Sequence, residues 1–177
     1  LHDALPIYNF ALTLSLKALR KDTLNATLRR ISFKEESGFE LKKLSLKAIA
    51  NNQQLNISNF KLELPNSILS VPLVKVQYDS LPSLSQLSPD MKYEGEVECN
   101  LLPTDFSTIL PVLSALDQPV EVSIGFEGNG KQVDIPLLAI KDHKFLNLEG
   151  KAKIDGNEEQ TYYNGKISKL IVNKEGI

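Results

Sequence analysis

Apolar and polar residues alternate one by one along most of this chain, and that rhythm restricts it to β structure. Successive side chains of a strand point to opposite faces, so apolar residues at every second position build one apolar face. Seven long runs have this pattern: Phe10–Ala18, Leu44–Ala48, Phe60–Leu64, Val74–Tyr78, Tyr93–Leu101, Val120–Phe126 and Leu146–Ile154. Shorter runs lie at Leu24–Leu28, Ile31–Phe33, Phe39–Leu41, Leu55–Ile57, Leu69–Leu73, Val133–Leu137 and Tyr163–Ile167. About a dozen strands are expected in all.

Turn chemistry separates the runs. Ser37-Gly38, Asn51-Asn52, Gly128-Asn129-Gly130 and Asp155-Gly156-Asn157 supply residues that tolerate a positive φ. Pro65-Asn66-Ser67 and Pro72 mark an interruption or an edge, because proline donates nothing to a ladder. Residues 81–89, with two prolines, read as an exposed loop. One segment departs from the alternation. Between Thr104 and Leu116, the residues Phe106, Ile109, Leu110, Leu113 and Leu116 follow a helical stripe. The spacing predicts a short amphipathic helix over 104–116, capped by Thr104, with Asp105 in its first turn and Pro111 kinking or restarting it.

A dozen strands and one helix cannot make a helix-covered sheet, so the apolar faces must meet each other. One solution is a closed β-sandwich with a dry core. The other is an elongated antiparallel sheet, bent into an open trough with its apolar face inside. At about 4.8 Å per strand, such a trough would run on the order of 55 Å. The hydrophobic share of 42% supports a single β-rich unit over residues 8–177. Residues 1–7 resemble translated adapter sequence and are set aside as a non-native or disordered leader. The strand-like Leu170–Asn173 stops close to the end of the chain, which reads as a segment of a longer protein.

Composition narrows the function. The formal charge is −2, split as +4 over residues 1–50 and −6 over the rest, and the lysines are scattered. That pattern does not suggest nucleic acid. One cysteine, Cys99, excludes an internal disulfide framework and a cysteine zinc site. No apolar run approaches the ~20 residues of a membrane-spanning helix. His2 and His143 are the only histidines, which leaves no histidine metal cluster and no proton shuttle. Asp142-His143 reads as a solvated turn. Glu94, Glu96 and Glu98 share one strand face and repel one another. A glycosidase instead sets two carboxylates across a cleft, so these three suit an outer surface. No nucleophile elbow or phosphate-binding glycine loop is present. The chain is therefore expected to be non-catalytic, with no metal and no cofactor.

Several stretches carry a resemblance: Ile31–Leu41 with its Glu-x-Ser-Gly-Phe hairpin, Leu62–Leu69 with its Pro-x-Ser bulge, Gly95-Glu96-Val97, and the segment beginning Thr104-Asp105-Phe106. In this order they resemble the TamB family of the AsmA-like group, in its Bacteroidetes form, over roughly residues 8–177. The resemblance implies a β-taco bridge in the periplasm, tethered to the inner membrane by an N-terminal helix outside this stretch. It implies an apolar groove that carries phospholipid toward the outer membrane, with neighbouring repeats of the same chain continuing it. It also implies support of outer-membrane protein assembly through a partner contacted elsewhere. The lining expected from alternation is Leu12, Leu14, Leu46, Leu62, Leu64, Val76, Val97, Val122, Ile124 and Leu148. The competing reading is a structural or adhesive extracytoplasmic β-domain, in which the same residues form a closed core and function sits on loops such as 81–89.

Overall fold

The computed structural model describes residues 7–20, 23–79, 90–115, 117–142, 144, 146–156 and 160–173. The 81–89 loop and His143 lie outside the described residues. Ten strands form one antiparallel sheet in strict chain order. They are β1 (Ile7–Arg20), β2 (Thr23–Glu35), β3 (Glu40–Ala50), β4 (Gln54–Glu63) and β5 (Ile68–Gln77). They continue as β6 (Lys92–Leu101), β7 (Val120–Asn129), β8 (Gln132–Asp142), β9 (Leu146–Gly156) and β10 (Thr161–Val172). Only elements adjacent in sequence pack extensively against each other, and β1 and β10 each have a single neighbour among the described residues. The elongated open sheet is thus the form adopted, and the closed sandwich is not. Accessible area agrees: a compact monomer of 19.7 kDa exposes about 8,600 Å², whereas this chain exposes 12440 Å².

Ten strands replace the expected dozen because bulges join runs that alternation alone separates. A β-bulge adds one residue to one strand, so two apolar residues three apart return to the same face. In β2, Leu28 and Ile31 pair with Leu46 and Leu44, which are two apart in β3. In β3, Leu41 and Leu44 pair with Phe33 and Ile31. In β4 the slip falls at Asn59, whose φ is +53°. In β5, Val71 and Val74 flank Pro72, a central-strand proline accommodated by the irregularity against β6. β8 repeats the device around Pro136, between Ile135 and Leu138. Each bulge also bends its strand and tightens the local twist, as an open bent sheet requires.

The expected helix over 104–116 does not form. Two short 3-10 turns stand in its place, Pro103–Phe106 and Pro111–Ala115. Pro111 lacks the N–H that would continue the first turn, and it disfavours helical backbone at Leu110. Thr104 is not the cap: Leu102 precedes the first turn with extended backbone and no side-chain cap, and Pro103 opens it. Leu116 lies outside the described residues. Asp105 instead reaches across the chain. Its carboxylate accepts from the Asn66 backbone N–H and from Asn66 Nδ2, both at 2.8 Å. Ser67, 1% exposed, accepts from the Leu102 N–H through Oγ at 2.8 Å. The β6–β7 connection is thereby strapped to the β4–β5 turn. It also reaches the β2–β3 turn, where a Cβ built on Gly38 would lie 3.8 Å from a Thr108 methyl.

A Cβ on Gly128 would lie 2.3 Å from the Gln132 carbonyl oxygen and 2.5 Å from the Tyr93 ring. Gly128→Ala should therefore cost about 1–3 kcal/mol in urea denaturation. Gly165→Ala, whose Cβ would meet nothing nearer than 3.8 Å, should stay within about 0.5 kcal/mol. Asp105→Ala should leave strand content unchanged by circular dichroism, yet speed proteolysis within 102–115, because it removes two charge-assisted bonds of ~1 kcal/mol or more each.

Candidate functional site: the apolar face

Residues directly opposite on paired strands share a face. One row of such partners crosses the whole sheet without a polar interruption. Leu12 stands opposite Ile31, Ile31 opposite Leu44, and Leu44 opposite Leu62. The row continues through Leu69, Cys99 and Val122. It ends with Ile140, Leu148 and Leu170. A second row runs Leu19, Leu24, Ala50, Leu55 and Val76. From there it passes Tyr93 and Gly128 to Val133, Ile154 and Tyr163. At Gly128 the neighbouring Tyr93 ring fills the space a side chain would take. Between these rows, Leu14, Leu28 and Leu46 align, as do Val97, Ile124 and Leu138.

The expected lining residues largely converge here. Leu12, Leu62, Val122 and Leu148 occupy the first row and Val76 the second, while Leu14, Leu46, Val97 and Ile124 fall between them. Leu64 differs in accessibility: it lies just past β4, is only 4% exposed, and sits at the strapped end beside Ser67. The first row also contains Ile31, Leu44, Leu69, Cys99, Ile140 and Leu170, which the expected lining left out. Cys99 and Ile140 lie in plain alternation with Val97 and Leu138, whereas Ile31 and Leu44 join the row through a three-residue spacing across Arg29-Arg30 and Lys42-Lys43.

Little covers this face. Among the described residues, buried apolar side chains are confined to Leu41, Ala50, Leu64, Val71, Tyr78 and Met91. On the edge strands Leu12 and Leu14 are 53% and 60% exposed and Leu170 is 54% exposed, while Ile31, Leu44, Leu62, Val122 and Leu148 between them are half-buried. An apolar surface of this extent exceeds what a monomer ordinarily leaves to water. From β1 to β10 the span is about 43 Å at ~4.8 Å per strand.

Polar chemistry is kept off the face. Glu94, Glu96 and Glu98 are exposed and lie opposite, with Glu94 paired to Lys75 at 2.7 Å. Lys153–Asp134 at 2.7 Å, Lys61–Glu63 at 2.8 Å and Lys169–Glu149 at 3.3 Å are further pairs between polar residues of the strands. Being solvent-exposed, each contributes ~1 kcal/mol or less. Two tyrosines tie down the end remote from the strap: Tyr78 Oη donates to the Asn51 carbonyl at 2.8 Å and Tyr93 Oη to the Gln132 carbonyl at 2.9 Å. Burial pushes both phenols above their usual range. Among the described residues, no three His, Cys, Asp or Glu side chains are placed to hold a metal ion. What the face offers is hydrocarbon contact.

Comparison with protein-family models, curated proteins and solved structures gave no match.

Cys99, the single cysteine, is half-buried in the first row, and burial pushes its thiol above the usual range of a cysteine. A raised thiol pKa leaves less thiolate at neutral pH. Maleimide labelling of the folded chain at pH 7 should be several-fold slower than in urea, and its pH midpoint should lie above that of the unfolded chain. Equal rates in the two states would contradict this placement.

Proposed function

We propose that this chain is a non-enzymatic segment of a periplasm-spanning bridge of the TamB type, whose apolar groove carries phospholipid between inner and outer membranes. The observation that supports this reading best is the pair of unbroken apolar rows across an uncovered ten-strand sheet. Acyl chains need a continuous apolar surface and gain ~0.8 kcal/mol per buried CH₂. The rows provide such a surface with no polar step to cross. Among the described residues β1 and β10 each pair with one strand only, which suits continuation by neighbouring repeats of the same chain. Within this reading the protein is tethered to the inner membrane by a helix outside the present stretch, and supports outer-membrane protein assembly through a partner bound elsewhere.

The test is site-specific photo-crosslinking in cells. A crosslinker at Leu14 or Val122 should capture labelled phospholipid. Capture of neighbouring protein alone would favour a structural or adhesive role instead. Val122→Arg places a charge between Cys99 and Ile140 in the first row. It should cut lipid capture from Leu14 several-fold in a protein that still folds, and undiminished capture would remove the main support for a conduit.

A further inference from the structure

The polar face carries a second constellation, unrelated to hydrocarbon. The bulge in β2 falls at Arg29-Arg30 and one bulge in β3 falls at Lys42-Lys43. A bulge re-aims side chains, and here two neighbouring strands each turn a consecutive cation pair toward one hollow. Arg29, Arg30, Lys34, Lys42 and Lys43 line it, with Glu40 and Glu63 the only acids, around a cavity of about 600 Å³. Those seven charges sum to +3. Ser32, 6% exposed, also lines the hollow and accepts from Arg30 Nε at 3.1 Å, which orients that guanidinium.

The two acids offset the five cations only in part. Glu63 is held by Lys61 at 2.8 Å, and its carboxyl is lowered first by that hydrogen bond and then by the nearby Lys43 and Lys42 charges. Glu40 meets Lys34 only at 3.7 Å. Lys42 donates to the neutral Pro65 carbonyl at 3.2 Å and feels the Glu63 carboxylate only through space. Arg29 and Arg30 are both exposed at the rim.

We propose that this dibasic double bulge is an anion site that takes a phosphate group. Guanidinium and ammonium groups converging from two strands form charge-assisted bonds to several oxygens at once. The site is on the face opposite the apolar rows, so it stands or falls independently of lipid conduction.

The folded chain would be titrated with inorganic pyrophosphate by calorimetry, and floated with phosphatidylcholine vesicles with and without phosphatidic acid. Binding of pyrophosphate with a steep loss on adding salt is expected. Arg30→Gln with Lys43→Gln should weaken it tenfold or more. Arg30→Lys with Lys43→Arg should restore most of it, and Lys151→Gln with Lys166→Gln on β9 and β10 should leave it intact. Binding of pyrophosphate alone identifies a free phosphate as the source. Binding of acidic vesicles as well, lost in the same double variant, identifies a headgroup. Absence of binding to either probe, equal loss in the β9–β10 control, or binding only to an acidic peptide would overturn the site.

Discussion

Cross-strand register is the constraint on which everything else in this molecule rests. Each strand contributes one apolar face, and a face is worth having only if its neighbours present theirs on the same side. A slip of one residue in any pairing would turn an entire strand inside out. The chain avoids this with compensated slips. Where the apolar spacing changes from two residues to three, a bulge absorbs the extra residue. Leu28 to Ile31 in β2 and Leu41 to Leu44 in β3 are successive cases against the same partner strands.

An open sheet has no opposing layer to hold it, so its stability has to come from neighbouring strands and from its two rims. One rim is tied by Ser67 and Asn66 to the β6–β7 connection. The other is tied by the Tyr78 and Tyr93 hydroxyls to backbone carbonyls. Polar groups do the fastening at the ends, and the apolar residues between them are half-buried. That division lets one surface remain hydrophobic and accessible without collapsing onto itself. Charged pairs on the other face add little energy, but they keep that side in water.

The bulges serve both faces at once. On one side they return apolar residues to the rows. On the other they gather Arg29-Arg30 and Lys42-Lys43, which the linear sequence shows only as two unremarked dibasic pairs in a mildly basic first third. A chain with uniform alternation would have left one member of each pair pointing toward the apolar face, where a charge is costly to desolvate. Keeping cations off the apolar face and concentrating charge on the opposite face are thus one geometric event.

Alternation by itself determined that this protein is all-β, that each strand has one greasy side, and that Glu94, Glu96 and Glu98 belong outside. These are local consequences of a period of two, readable wherever a run is unbroken. The number of strands was not readable, because a bulge looks like the end of one run and the start of another. Nor was the fate of 104–116: its apolar spacing is helical, but Pro103 and Pro111 limit the backbone to 3-10 turns, and Asp105 finds a partner on a turn far away in sequence. The choice between sandwich and open sheet, and the placing of Ile31, Cys99 and Leu170 in one line, were decided only by tertiary pairing. Both depend on which strand lies beside which and in what register, and those non-local relations leave no period in the sequence.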